Sequence, residues 1–329
     1  MSRFVYLIVS HTNPGQVLRL ATAITNASPG SQIAIHHDPS KSRLDSPNLP
    51  KVHLVPNPLS VEWGAYSQIE MLLHSLRWIS ANLDFDWVVV ISGQDYPTQS
   101  LAQFETRLAS SRYDAFIRYF RIDDPGHWPR DVGARRYYFR YVSVPRFRYY
   151  YRLPEALKRF LGKTKTWFNE SQSLVRILTL PRGLHTKVGI RRIFRPFNER
   201  FVCYGGWDWF NLNRRCVDTI LKDAEGKPEI FAYYRGTLLP SESLIHSLLA
   251  NNDRINVFND ACRFVHWGEK RHATSPEIIR CKDLHLVLES GEPFARKFDI
   301  NIDSTVLDRL DARIASPQQT PVFDSTRQF

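Results

Sequence analysis

The run Trp87-Val88-Val89-Val90-Ile91, followed by Ser92-Gly93-Gln94-Asp95-Tyr96-Pro97, decides the fold. Its apolar part has strand length and is rich in β-branched residues, and Gly93 and Pro97 stop it. It therefore reads as a buried strand that delivers polar residues at its carboxyl end. The same grammar recurs on either side. Phe4 to Val9 reads as a first strand, with His11-Thr12-Asn13-Pro14 turning into a helix that carries Val17, Leu18, Leu20 and Ile24. Gln32 to His36 and Val52 to Val55 follow as strands, Tyr66 to Leu83 as a long helix marked by Ile69, Leu72, Leu73, Leu76 and Ile79, and Phe116 to Phe120 as a further strand. Strands alternating with helices define an α/β fold with a mainly parallel sheet, whose ligands bind in the crevice at the strands' carboxyl ends. His37, Asp38, Gly93, Gln94 and Asp95 are placed there.

No apolar run approaches the roughly 20 residues that a membrane-spanning helix needs. Met1 to Ser10 is too briefly apolar for a signal peptide and fits a buried first strand better. Cys203, Cys216, Cys262 and Cys281 are widely spaced with no C-x-x-C pair, which reads as free buried thiols in a reducing cytosol. The net charge of +11 is concentrated: residues 130–200 hold eighteen Lys and Arg against four Asp and Glu. Within that segment Arg135-Arg136-Tyr137-Tyr138-Phe139-Arg140-Tyr141 and Arg146-Phe147-Arg148-Tyr149-Tyr150-Tyr151-Arg152 interleave cations with aromatics. The pattern suits nucleic acid, anionic lipid headgroups or sugars linked to nucleotide or lipid. It equally suits a solvated insertion whose aromatics pack inward and whose arginines keep it soluble.

Past the insertion, Phe201 to Phe210 resumes the alternation, and Gly205-Gly206 marks either a close backbone approach to a ligand or a bulge. A helix follows from Asn213 to about Lys222, then a charged linker. In Leu238-Leu239-Pro240-Ser241-Glu242-Ser243-Leu244-Ile245-His246, Pro240 ends one run, Ser241 offers a helix cap, and Leu244, Ile245, Leu248 and Leu249 mark an apolar helical face. Glu242 then falls in the first turn, where the helix dipole favours an ionised carboxylate. That placement suits a general base, and it also suits a simple dipole partner. Phe264 to Trp267 reads as a short strand, and residues beyond about Leu310 as a polar, frayed tail.

The sequence has no G-x-G-x-x-G, G-x-x-x-x-G-K-[ST], H-E-x-x-H or G-x-S-x-G, so dinucleotide oxidoreduction, P-loop hydrolysis, zinc proteolysis and serine esterase chemistry lack support. Asp84-Phe85-Asp86 precedes its strand, away from the crevice, and Asp123-Asp124 are adjacent acids that point apart. No obligatory metal is expected. A diphosphate would then be neutralised by protein cations, and Arg296-Lys297, with Arg280 as a third, supply them, unless Phe294 and Phe298 pack and leave both cations in water.

From Phe4 to about Asp299 the chain resembles the family that joins the core-2/I-branching β-1,6-N-acetylglucosaminyltransferases to the peptide O-xylosyltransferases. The resemblance is carried, in order, by Tyr6-Leu7-Ile8-Val9-Ser10-His11 with Asn13-Pro14, Ile35-His36-His37-Asp38, Glu62-Trp63-Gly64-Ala65-Tyr66-Ser67, Ser92 to Pro97, Gly205-Gly206-Trp207-Asp208-Trp209-Phe210, Leu239 to Ser243, His266-Trp267 with Ser275-Pro276, and Phe294 to Phe298. The Gly-Gly-x-Asp-Trp-Phe and Leu-Leu-Pro-x-Glu-Ser forms are nearer the xylosyltransferase branch. The likeness implies a GT-A type fold, a UDP-sugar donor, metal-independent transfer and inversion. It implies Glu242 as catalytic base and Arg296 and Lys297, with Arg280, at the diphosphate. It also implies His37 and Asp38 at the nucleoside, Asp208 and Trp209 at the donor sugar and Trp267 bordering the substrates. His11, Asp95, Gly205 and Gly206 stand in matching blocks and join the donor-binding set.

The expectation is one domain over residues 1–310, with a nucleotide-binding half (1–120), a basic, aromatic-rich, partly helical insertion (121–200) and an acceptor half (201–310), followed by a polar tail (311–329). The expected reaction moves xylose or N-acetylglucosamine from a UDP-sugar to a hydroxyl of a glycan or lipid-linked glycan during cell-surface polysaccharide assembly. The eukaryotic relatives' anchor, stem and paired luminal cysteines are missing, which points to a cytosolic, bacterial relative with peripheral contact at an anionic membrane. The rival expectation is a binding protein whose insertion docks on nucleic acid or membrane.

Overall fold

The computed structural model describes residues 2–129, 131–145, 153–179, 185–268 and 275–315. From the amino end, strand β1 (Phe4–Ser10) leads into helix α1 (Pro14–Ala27), β2 (Gln32–His37), β3 (Val52–Leu54), α2 (Ser67–Asn82), β4 (Trp87–Ser92), β5 (Asp95–Pro97), α3 (Ala102–Ser110) and β6 (Ala115–Arg121). The basic segment then forms α4 (Val132–Tyr137), β7 (Phe139–Pro145), α5 (Glu155–Ser171), β8 (Val175–Thr179) and β9 (His185–Arg191). The remainder is β10 (Tyr204–Asn213), α6 (Arg214–Gly226), α7 (Pro228–Tyr234), α8 (Leu244–Ala250), β11 (Val257–Phe258), β12 (Arg263–Val265), α9 (Leu284–Ser290), β13 (Phe294–Arg296) and α10 (Thr305–Ala315).

Seven strands make the main sheet, in the order β11-β6-β10-β4-β1-β2-β3. Its central strands are apolar on both sides because both faces are covered. Phe4, Tyr6 and Ile8 of β1, with Trp87, Val89 and Ile91 of β4, pack into a core shared with α1, α3 and α10. Val5 and Leu7, with Val88 and Val90, point into a second core shared with α2, α6 and α8. Two further sheets flank this one. In β12-β13-β5, Phe294, Ala295 and Arg296 lie opposite Pro97, Tyr96 and Asp95, so two distant stretches of sequence meet in register. The basic segment builds the third sheet, β7-β9-β8.

The α/β architecture with a mainly parallel sheet is as expected, and two local readings are corrected, one on the segment after α6 and one on Cys281. Four of the six strand pairs of the main sheet are parallel, and β10 alone runs antiparallel, to both β6 and β4. The segment read as a charged linker contains α7, whose Ile230, Phe231, Tyr233 and Tyr234 are buried. The insertion is partly helical and also forms a sheet, in which Phe139 and Tyr141 alternate inward onto Leu238. Cys281 is only half-buried, unlike the other three thiols.

The chain also stays ordered past residue 310, to Ala315. Val306, Leu307 and Leu310 bury one face of α10, while Asp311 accepts hydrogen bonds from Tyr96 Oη (2.6 Å) and from Arg19 (2.6 Å). Leu310→Ala is expected to lower stability by about 2–5 kcal/mol, the range for truncating a buried leucine, in denaturant unfolding. A cost near zero would mean that α10 is not part of the cooperative fold.

Candidate active site

Because β10 opposes β4, its entering end lies at the edge where the parallel strands finish. Asn213 pairs with Trp87 at the start of β4, so Trp209 and Asp208 fall level with its last residues, at its carboxyl end. Gly205 and Gly206 precede them, at an irregularity in the pairing with β6 between Gly206 and Phe210. A Cβ on Gly205 would strike the Trp128 ring, and one on Gly206 would strike the His246 ring and the Arg118 carbonyl. The close approach that these glycines allow is therefore one of protein to protein, at a bulge. His246 uses it, since its Nε2 donates to the Trp207 carbonyl (3.0 Å).

Glu242 lies in a short 3-10 turn, Pro240–Glu242, ahead of α8 rather than in its first turn. Leu239 enters that turn with a left-handed backbone (φ 48°), and Ser241 makes no side-chain cap. Other contacts fix the turn. Gly64, itself at φ +75°, accepts from the Leu239 N–H (3.0 Å), Tyr137 Oη donates to the Leu239 carbonyl (3.2 Å), and Ser243 Oγ donates to the Tyr204 carbonyl (2.6 Å). The blocks around Gly64, Tyr204 and Glu242 thus converge.

The Glu242 carboxylate accepts a charge-assisted hydrogen bond from Arg136 Nη1 of α4, and both side chains are about one quarter exposed. Burial pushes the Glu242 carboxyl up to about 7; Arg136 pulls it back and neighbouring Asp208 pushes it further. Asp208 is raised too, by burial, against the opposing pull of Ser241, Arg296 and Arg136. Its Oδ1 and the Ser241 hydroxyl are buried without a well-aligned hydrogen bond, although the hydroxyl is near enough to favour the charged carboxylate. Arg296 closes the cluster. Its guanidinium lies 4.0 Å over the Trp209 ring, and its Nε is 3.5 Å from Asp95 Oδ1, close for charges and loose for a hydrogen bond. Asp95 Oδ2 accepts from the Ser92 N–H (2.8 Å).

A second group stands along the same edge at the ends of β1 and β2. His37 Nδ1 accepts from Ser10 Oγ (2.8 Å), and its Nε2 donates to Ser42 (2.9 Å); burial holds the imidazole below its ordinary range. Burial acts to raise Asp38, but the Val61 N–H (2.8 Å) and the Ser40 hydroxyl (2.7 Å) and N–H (2.9 Å) hold it below the usual carboxylate range. Both residues organise loops in this structure. His11 is exposed just past β1. Trp267 follows β12 and is 42% exposed, Lys297 is half-buried, and Arg280 is exposed next to Ile279, whose N–H donates to the Lys297 carbonyl (2.8 Å). Asp84 and Asp86 lie at the opposite end of β4, paired with Arg3.

Of the residues singled out in the sequence, Asp95, Asp208, Trp209, Glu242 and Arg296 are brought into one cluster, with Gly205 and Gly206 supporting it. Arg136, which the sequence places in a cation-aromatic run suited either to an anionic partner or to water, is the counter-ion of Glu242. Its guanidinium also lies 4.4 Å over Trp128, the ring that covers Gly205. The one signal for it was physical: a buried carboxylate needs a cation. Tyr137, Phe139 and Tyr141 are buried and offer no free faces to bases, and Arg146 to Arg152 lie outside the described residues.

The Core-2/I-Branching enzyme family matches residues 4–287, and the chain belongs to it. It is 24% identical to human xylosyltransferase 1 over 278 residues, 79% of this chain and 24% of that protein, and mouse xylosyltransferase 1 gives the same identity. It is 22% identical to the β-glucuronosyltransferase GlcAT14A of Arabidopsis thaliana over 329 residues, 94% of this chain and 63% of that protein. The chain thus spans about a quarter of the length of the xylosyltransferases it matches. Among solved structures, the galactosyltransferase LgtC with donor and acceptor sugar analogues aligns over 35% of this chain and 46% of its own, at 9% identity and a TM-score of 0.25.

If Arg136 is the counter-ion, Arg136→Gln should move the Glu242 titration upward, since burial and Asp208 then act unopposed by that cation. Carboxyl-carbon NMR of the labelled side chain reads the midpoint. An unchanged midpoint would show that Arg136 does not tune Glu242.

Proposed function

We propose that the chain is an inverting glycosyltransferase of GT-A type. It moves xylose, N-acetylglucosamine or a related sugar from a UDP-sugar to a hydroxyl of a glycan or lipid-linked glycan, without an obligatory metal, in cell-surface polysaccharide assembly. One observation carries the reading: the Glu242 carboxyl, paired with Arg136 and next to Asp208, shares one cluster with Arg296, a cation that suits a leaving diphosphate. A general base works best when its pKa lies near the operating pH, and Glu242 meets that condition. The relatives' names support the donor class, being those of xylosyltransferases and a glucuronosyltransferase.

In a single displacement Glu242 takes the acceptor hydroxyl's proton while that oxygen bonds to the anomeric carbon. The bond from that carbon to the diphosphate oxygen breaks on the opposite face, and its electron pair leaves with UDP. Arg296, Lys297 and Arg280 neutralise the departing charge, with Arg296 held in place by Trp209 and Asp95. Asp208 and Trp209 meet the sugar, Trp267 borders it, and His11, His37 and Asp38 receive the nucleoside. The spacing suits the donor. From β10 to β2 there are three inter-strand steps, roughly 14 Å at about 4.8 Å each, comparable to an extended nucleotide-sugar.

Glu242→Gln should lower kcat by about a hundredfold or more and leave UDP affinity nearly unchanged, read by donor turnover and calorimetry. Near-normal turnover would remove Glu242 from the reaction. Only the ionised carboxylate accepts a proton, so kcat/KM should fall tenfold per pH unit below about 7 and level off above it. That limb belongs to the Glu242-Asp208 pair. A pH-independent rate between pH 5 and pH 7 would count against the assignment. Transfer should also persist in excess chelator, and restoration only by a divalent ion would overturn metal independence.

A further inference from the structure

Helix α5 is mounted the wrong way round for a soluble protein. Asn169 Nδ2 donates to the Ile177 carbonyl (2.9 Å), its Oδ1 accepts from the Ile177 N–H (2.8 Å), and Lys165 Nζ reaches Thr179 Oγ1 (3.4 Å). The polar flank of the helix is thereby fixed to the edge strand β8. At 100° per residue, Leu157, Phe160, Leu161 and Trp167 share one face, and Lys158, Arg159, Lys163 and Lys165 lie on the rest of the circumference. The apolar face is the one turned to water: Phe160 is 64% and Trp167 67% exposed, and no residue of α5 is buried. The adjoining sheet repeats the arrangement. Its inner face carries Phe139 and Tyr141, and its outer face exposes Val142, Val144 and Ile190.

We propose that α5 and the outer face of the β7-β9-β8 sheet form a docking surface for an anionic lipid bilayer. A Trp, Phe and Leu stripe flanked by cations fits the boundary between headgroups and acyl chains, with the helix lying in the interface plane. Charge decides between occupants. A second copy of the chain would bring two sets of like cations together, and nucleic acid would engage the cations while leaving Leu157, Phe160 and Leu161 in water. No helix among the described residues is long and apolar enough to cross a membrane, so the contact is peripheral. The surface relocates the membrane contact expected from Arg135, Arg136, Arg146 and Arg148, because Arg136 is committed to Glu242.

The test is co-sedimentation of the full chain with vesicles of phosphatidylcholine containing phosphatidylglycerol, against vesicles of phosphatidylcholine alone. Binding is expected only to the anionic vesicles. Phe160→Ser with Trp167→Ser should lower partition by about tenfold or more. Arg159→Gln with Lys163→Gln should lower it roughly thirtyfold at low salt, from about 1 kcal/mol per basic residue near the surface. All four positions are exposed, so unfolding midpoints should stay at the parent value and confirm that only the surface changed. The proposal fails if the chain does not sediment with anionic vesicles or if both variants sediment as the parent does. It fails equally if these substitutions abolish self-association or oligonucleotide binding instead. The readout is partition rather than sugar transfer, so Glu242→Gln protein should still bind, and failure of the catalytic reading leaves this test standing.

Discussion

The cluster around Glu242 depends on one strand running against its neighbours. Had β10 been parallel, its entering residues would lie at the far edge of the sheet with Asp84 and Asp86, and Asp208 and Trp209 would be a sheet's depth away from Ser92 and Asp95. Antiparallel pairing with β4 and β6 puts Asn213 at that far edge instead, where its side chain caps α6 by accepting from the Cys216 N–H (3.0 Å). The Ser243 hydroxyl and the His246 ring then tie the entering half of β10 to the turn and helix that carry Glu242. Strand direction, bulge and the position of Glu242 are thus one geometric fact.

That geometry draws Asp95, Arg296, Asp208, Arg136 and Glu242 together largely out of water, at a cost. Taking charges out of water is unfavourable unless they are paired, and here the pairs share partners. For Glu242 the sign is plain. Its carboxyl titrates higher in the folded chain than in the unfolded one, so its contribution to stability is complete below the ordinary carboxylate range and is lost as pH rises through about 7. The ionised form, which the proposed reaction requires, is therefore the form the fold favours less.

Much of the frame was legible in the sequence because apolar runs of strand length and periodic helices are local signals. Trp87 to Ile91 and Ile69 to Ile79 needed no partner to be read. Strand direction is not local, and nothing within Tyr204 to Asn213 says which way it runs. The residues around Glu242 were read as a cap and first turn because Ser precedes an apolar face; the left-handed Leu239 and Pro240 instead make a tighter turn first. The stripe Val306, Leu307 and Leu310 was available and was overshadowed by the polar residues around it. Arg136 could not be singled out, since Arg135 and Arg136 are equivalent in sequence. Only a partner 106 positions away separates them.

Arg136 has a consequence for how such a chain can be divided. The basic segment looks like a cassette, bounded by strands of the main sheet and faced with its own small sheet. Yet it lends the crevice a counter-ion, lays Trp128 over Gly205, and reaches the Gly64 block through Lys187 and Glu62 (3.5 Å). Exchanging this segment between relatives would transplant the counter-ion of Glu242 along with the surface. Its outer face has no contact with that cluster, while its inner face is held by the residues around Glu242, so modularity here is only skin deep.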